Sequence, residues 1–194
     1  MAVVSIKNKL RRGNLLVGNN RFIPPAFESI ATYTVGSGGA ANVEFTSIPA
    51  DYAHLQIRGM SKDTTAGTGV ELLYLQFNSD TGNNYATHRL EGNGTSASAG
   101  ANTSTSAIRA GVNTQANSTD IFAATIIDIL DYANTNKYTT TRSLTGADKN
   151  GSGEVAIRSG VWMNTNAVTS IKLTSNVANL AQYSHFALYG IKGA

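Results

Sequence analysis

Residues 121–130 read Ile-Phe-Ala-Ala-Thr-Ile-Ile-Asp-Ile-Leu and form the most apolar run of the chain. The run is long enough for a short helix, but its Thr and Ile residues are β-branched, and such side chains pack better on a pleated strand. We therefore interpret it as a core strand, bracketed by Asp120 and Asp131.

Segments on both sides of this run alternate between apolar and polar residues and stop at turn residues. Residues 29–35 end at a glycine-rich turn and residues 42–48 follow, a spacing that predicts a hairpin. Residues 70–77 are almost continuously apolar, which predicts a central strand covered on both faces. Residues 92–106 are a low-complexity run of small residues, which we interpret as a long loop. Further strands are expected at residues 54–58, 87–90, 108–112, 139–144, 155–163, 170–174 and 185–191.

The composition agrees with a strand-and-turn protein. Thr, Asn, Gly and Ser supply 77 of the 194 residues, and charged residues only 14%. These small polar types favour turns, caps and strands over helix interiors. About eleven short strands without a convincing helix predict an all-β fold, a two-sheet antiparallel β-sandwich that is jelly-roll-like. An up-and-down barrel is the alternative.

The positive charge is concentrated at the N-terminus. The net charge is +3, yet residues 1–25 contain no acid. Pro24 and Pro25 end this segment, and proline fits neither a helix interior nor a central strand. We therefore divide the chain into a basic N-terminal docking arm, residues 1–25, and a β-sandwich, residues 26–194; a strand added to the sheet through residues 14–19 is the alternative. The cations of the docking arm are Lys7, Lys9, Arg11, Arg12 and Arg21.

Several classes of partner and chemistry are not expected. No aromatic residue is interleaved with the first four cations of the arm, so nucleic acid is an unlikely partner. The chain has no cysteine, which excludes disulfides and thiolate chemistry. No apolar run of membrane-spanning length occurs, and the N-terminus lacks the order of a secretory signal.

No catalytic motif stands out, and we expect no enzyme and no cofactor. His54, His88 and His185 lie outside any metal-binding spacing, and no nucleophile elbow is present. The alternative is a glycosidase or esterase in which Asp128 and Asp131 act as general acid and base.

Two binding sites are worth testing. Asp148, Asn150 and Ser152 place oxygen side chains as in the front half of a calcium loop, but Ser159 stands where the closing Glu belongs. A hairpin turn is the alternative for this stretch, and no metal is expected. Tyr85 and Trp162 are candidates for a glycan-stacking surface, with a core position as the alternative.

Several strings resemble a family of small virion structural proteins of tailed bacteriophages, including phages of cyanobacteria and other aquatic bacteria. They are FESIA at residues 27–31, HLQIRG at 54–59, FNSDTGNNYATHRL at 77–90, IIDILDY at 126–132, SLTG at 143–146 and ALYGIKG at 187–193. The resemblance covers most of residues 26–194. Its motifs are structural, so it supplies no catalytic residue.

The resemblance implies a β-sandwich displayed on a virion and made in the bacterial cytoplasm. The implied roles are a capsid decoration or cement protein, or a collar or tail-fibre component. The expected partners are other virion proteins, the major capsid or a neck or tail protein, and further copies of the chain, with a trimer favoured and no membrane. The alternative is an adhesin that binds a host-surface glycan through the loops at residues 78–84 and 92–106.

Overall fold

The computed structural model describes residues 26–193, and every regular element within them is a β-strand. The strands are β1 (Phe27–Thr34), β2 (Val43–Phe45), β3 (His54–Ser61), β4 (Val70–Phe77), β5 (Tyr85–Gly92), β6 (Ala97–Thr105), β7 (Ile108–Thr114), β8 (Ala123–Leu130), β9 (Thr139–Asp148), β10 (Gly153–Trp162), β11 (Ile171–Ser175) and β12 (His185–Ile191). The all-β prediction is confirmed. The predicted docking arm lies outside the described residues.

The strands form two antiparallel sheets. The large sheet has the order β1-β12-β3-β8-β9-β10-β5-β6, and the small sheet has the order β2-β11-β4-β7. The pairs β1/β12, β2/β11, β3/β8, β4/β7 and β5/β6 nest inside one another, like a long hairpin folded over on itself. This is jelly-roll connectivity, with β9 and β10 inserted as a meander between β8 and β5. The predicted jelly-roll-like sandwich is confirmed.

The core fills the space between the two sheets, because alternate residues of each strand point inward. In β8 the predicted core strand is confirmed, and Ile127 and Ile129 are fully buried. The other buried side chains of this cluster include Leu55, Ile57, Phe186 and Leu188 of the large sheet and Val43, Leu73, Leu75, Phe77, Ile171 and Leu173 of the small sheet. No helix that could cross a membrane is present in the described part of the chain.

The predicted hairpin of residues 29–48 is wrong. β1 pairs with β12 in the large sheet, whereas β2 pairs with β11 in the small sheet. The turn between them carries the chain across the sandwich: Val35 N–H donates to Ser184 O, and Ala40 bridges to Leu180. Alternation of apolar residues marks a strand but does not identify the strand it pairs with.

Strand β4 is covered on one face rather than on both. Leu73, Leu75 and Phe77 are buried, while the residues between them, Tyr74 and Gln76, are half-buried on the outer side of the small sheet. The prediction of a doubly covered strand is therefore wrong. The outward Leu72 made the run look continuously apolar.

A strand also occupies the low-complexity run that we interpreted as a loop. β6 pairs with β5 from Ala97 to Thr105 and forms one edge of the large sheet. An edge strand beyond the limit of the small sheet buries little surface, so it needs few large apolar side chains. The loop interpretation of residues 92–106 is corrected to a short turn followed by β6.

Candidate functional site

The two rings predicted as a glycan surface lie in the core. Tyr85 and Trp162 are at most 1% exposed, and their rings stack with centroids 6.4 Å apart. The prediction that they form an exposed glycan surface is therefore wrong. Both point inward because Trp162 and Tyr85 are directly paired at the ends of β10 and β5, and paired residues share a face.

Asp80 ties these rings to the turn after β4. Trp162 Nε1 donates to Asp80 Oδ2 over 2.8 Å, and Asn84 donates to the same oxygen over 3.0 Å. Tyr85 OH donates to the Asp80 carbonyl and accepts from Phe77 N–H. The hydrogen bond from Trp162 is the main cause that lowers the pKa of Asp80, while burial raises the pKa of Tyr85 to about 12.

The candidate calcium residues form the hairpin between β9 and β10. Asp148 Oδ1 accepts the Asn150 N–H over 2.9 Å, and Lys149 N–H donates to Ser152 O. Asn150 and Gly151 have positive φ angles of 55° and 107°, as a two-residue hairpin loop requires. The three residues predicted as calcium ligands are thus brought together by a turn. No group of three or more His, Asp or Glu side chains is placed to hold a metal within residues 26–193.

The two carboxylates of the alternative catalytic pair are each engaged by cations. Asp128 accepts from Gln56 and from Arg142, at 2.7 and 3.1 Å. Asp131 pairs with Lys137, which is the main cause that lowers the pKa of Asp131, and the Asp131 N–H donates to His54 Nδ1 over 3.0 Å.

A buried charge network lies on the inner face of β5 and β10. Arg158 is 2% exposed and donates through NH2 to Glu154 over 2.9 Å, with Glu91 at 3.5 Å. Arg89 donates to Glu91 over 3.0 Å, so the four charges balance. Burial lowers the pKa of Arg158, and its Nε and NH1 atoms have no protein partner. The network occupies inner-face positions near the β6 edge, where apolar packing is sparse.

The outer face of the large sheet has the opposite character, because apolar side chains point toward solvent there. β9 shows the inversion most clearly: Thr141, Ser143 and Thr145 are buried, while Leu144 between them is exposed. The inward Thr145 hydroxyl has a local partner, since its Oγ1 bonds Thr125 Oγ1 over 2.7 Å. The outer face of β9 is thus more apolar at Leu144 than the inner face beside it.

Strand register gathers these outward residues into rows. The bulky row consists of Ile126, Leu144, Ile157, Leu90 and Ala99, directly paired across β8, β9, β10, β5 and β6. The small row beside it consists of Ala124, Gly146, Val155, Gly92 and Ala97 on the same five strands. We call the two rows together the apolar patch. Its large side chains are half-exposed, with Ile157 at 55%.

A polar row borders the apolar patch on the side of the bulky row. It consists of Gln56, Asp128, Arg142, Ser159 and His88, again directly paired across neighbouring strands. Arg58 lies at the β3 end of the bulky row, and its side chain is directed toward the polar row, where its Nε donates to Gln56. Its guanidinium lies 5.7 Å from the Phe27 ring centroid. The apolar patch therefore has no ionic group within its own two rows.

A sequence signal for this surface is present in β10, although it was not predicted. In β10 both alternating sets carry apolar residues, Val155 and Ile157 on one face and Ala156 and Trp162 on the other. Such a pattern predicts a strand that is buried on both faces. The fold leaves one of those faces uncovered.

Comparison with protein-family models, with curated proteins and with solved structures finds no match to this chain.

Proposed function

We propose that the chain is a structural component of a bacteriophage particle. In this proposal it is a capsid decoration or cement protein that docks through residues 1–25 and self-associates through its β domain. The observation that carries the proposal is the apolar patch. Monomeric soluble proteins rarely leave large contiguous apolar surfaces uncovered, and such surfaces mark interaction sites.

The fold supports the same class of function. Double-sheet jelly rolls recur in viral capsid proteins and in lectins, so the fold alone leaves both classes open. The lectin-like alternative, an adhesin, loses its proposed aromatic platform because Tyr85 and Trp162 are in the core. The resemblance of the strings quoted above, over most of residues 26–194, to virion structural proteins supports a role in the particle.

The position on the particle distinguishes the proposal from its alternative, a collar or tail-fibre component. Antibodies raised against the purified chain would be applied to intact particles of the phage that encodes it, with electron microscopy as the measurement. We expect label over the whole head shell. Label confined to the neck or tail would contradict the decoration role and favour the alternative.

The docking arm is tested by deletion of residues 1–25 from the phage gene. We expect the truncated chain to fold, by circular dichroism, and to be lost from purified particles. A full-length control with Lys7, Lys9, Arg11, Arg12 and Arg21 all changed to Gln separates charge from length. Undiminished incorporation of the truncated chain would rule out docking through the arm.

A further inference from the structure

We propose that the apolar patch is the contact surface of a two-fold pair of this chain, in which the bulky row of each copy lies in the small row of the other. The inference deepens the self-association of the proposed function and rests on that function for its biological role. The pairing itself is a property of the purified chain.

The exposed apolar area is of the size that a contact between two copies needs. Ile126, Leu144, Ile157, Leu90 and Val155 are each between 40% and 59% exposed, and Met60 extends the small row at 54%. Half-exposed side chains of this size leave on the order of 500 Å² of apolar surface together. A standard interface buries about 800 Å² on each partner. The apolar patch with the polar row at its rim is therefore large enough for a pair.

The two rows are also complementary in shape. A two-fold axis that runs along the rows, midway between them, places each strand over the same strand of the second copy. Leu144 then faces Gly146 of the second copy. By the same symmetry Ile126 faces Ala124, Leu90 faces Gly92, Ile157 faces Val155 and Ala99 faces Ala97. Three of the four large side chains of the bulky row therefore meet Gly or Ala, and the exception is Ile157, which meets Val155. The two sheets approach most closely at the central strands β9 and β10, since sheet twist separates the outer strands.

The small row is depressed around Gly92 and Gly146. Gly92, Gly146 and Val155 line a shallow groove that continues to the β9–β10 hairpin. A Cβ added at Gly146 would lie 2.8 Å from Glu154 O, so this position admits no side chain without a shift of the backbone. The hollow is thus built into the sheet and is complementary to a protruding Leu144.

Charge also favours a second copy over the chain's own basic arm. Beside the bulky row lie Arg58 and Arg142 with Asp128 between them, and beside the small row lies the exposed Asp148, which the two-fold pair places opposite Arg142 of the second copy. Residues 1–25 carry five cations and no acid, so they would meet net positive charge along the bulky row, whereas a second copy brings an acid there. In the two-fold pair the two polar rows lie at opposite rims, and no charge enters the centre.

The test is sedimentation equilibrium of the full-length chain over a range of concentrations. We expect a reversible species of twice 20.4 kDa. Ile157→Lys should raise the dissociation constant at least about tenfold, because it puts a charge in a dry centre. The matched control is Val177→Lys. Val177 is 56% exposed, against 55% for Ile157, and lies between β11 and β12, away from the apolar patch. The dissociation constant of this control should equal that of the parent chain.

A second variant distinguishes the two-fold pairing of the rows from non-specific apolar association. Ala124→Leu makes the apolar patch more apolar but fills the place where Ile126 of the second copy would lie. The two-fold pair predicts weaker association, by at least about tenfold, whereas non-specific apolar contact predicts stronger association. Circular dichroism melting of each variant confirms that the sandwich remains folded.

Several results would overturn the inference. These are a chain that stays at 20.4 kDa at every concentration, a trimer at three times that mass, equal effects of the two lysine variants, or tighter association of Ala124→Leu. Failure here is distinct from failure of the proposed function. A monomeric chain that still coats the particle would refute only the pair, whereas a dimer absent from particles would refute only the virion role.

Discussion

Side chains that suggest chemistry in the sequence contribute to packing in the fold. Trp162 is the single tryptophan, and its indole N–H is satisfied by Asp80 inside the sandwich. Tyr85 stacks on it and bonds the backbone of the same turn. Because the turn carboxylate is part of the arrangement, the two rings are held inward by hydrogen bonds as well as by their apolar surface.

Trp162→Phe should therefore destabilise the fold in a pH-dependent way. The lowered pKa of Asp80 means that its ionised form is favoured in the fold, so this stability is present above the ordinary Asp pKa and is lost as pH falls through the folded value. We expect a loss of about 1.5–3 kcal/mol at pH 7, the range for a hydrogen bond to a charged group, and a smaller loss near pH 3. Urea unfolding followed by circular dichroism measures both.

Tyr85→Phe is the matched control for this pair. It removes a hydroxyl that bonds only backbone groups. Its cost of about 1 kcal/mol should not change between pH 3 and 7. An equal pH dependence for both variants would contradict the role assigned to Asp80.

The stability that Asp63 contributes should change with pH in the direction opposite to that of Asp80. It is fully buried, accepts from Ser175 Oγ and Thr65 N–H, and burial raises its pKa. The fold holds its proton more tightly than the unfolded chain, so this stability is present below the unfolded pKa and is lost as pH rises through the folded value. Relative to Asp63→Asn, the parent chain should lose free energy of unfolding as pH rises above about 3.9. If the difference in free energy of unfolding between the parent chain and Asp63→Asn does not vary with pH, the raised pKa of Asp63 is contradicted.

At the scale of the elements, glycines in strands differ in how much room their surroundings leave for a side chain. Gly190 in β12 lies under the Tyr52 ring, and an added Cβ would be 2.4 Å from ring atoms. Tyr52 OH donates to Glu28 over 2.9 Å, which fixes the ring in place. At Gly100 in β6 an added Cβ meets only the end of the flexible Arg89 side chain.

Gly190→Ala should therefore cost about 1–3 kcal/mol, as overpacking does, while Gly100→Ala should cost no more than about 1 kcal/mol, since it displaces only the partly exposed Arg89–Glu91 ion pair. Thermal unfolding by circular dichroism, on the two variants side by side, is the measurement. Equal costs would show that the Tyr52 ring moves aside freely.

The strands themselves were largely predictable, and their partners were not. Alternation placed β3 correctly, because one face of it packs on the core, and β-branched apolar content placed β8. β6 was missed because an edge strand with Ala97, Ala99 and Ala101 on its outer face has no large apolar residues to show the period. The wrong β1–β2 hairpin has another cause: β1 pairs with β12, whose sequence is far away, and local turn chemistry cannot report such pairing.

The same reasoning explains what was missed at the candidate site. The outward leucine of β9 and the outward Val155 and Ile157 of β10 resemble core residues in sequence. Which face is covered depends on where the small sheet lies, and that is a property of the tertiary structure. An exposed apolar patch therefore becomes visible only after the sandwich is assembled.

At the scale of the whole molecule, the nested strand pairs give a closed sandwich with one apolar outer face. The core accounts for folding, and the apolar patch remains exposed on the single chain, where we propose that a second copy binds. Without cysteine, no disulfide stabilises the sandwich. A component of an assembly gains stability from its neighbours, since any partner that binds only the folded state shifts the folding equilibrium.

The most direct test of the virion role is the copy number of the chain in purified particles, measured by quantitative mass spectrometry against the major capsid protein. A decoration or cement protein predicts a ratio comparable to that of the capsid subunit. Absence of the chain from particles that contain their other structural proteins would contradict the account.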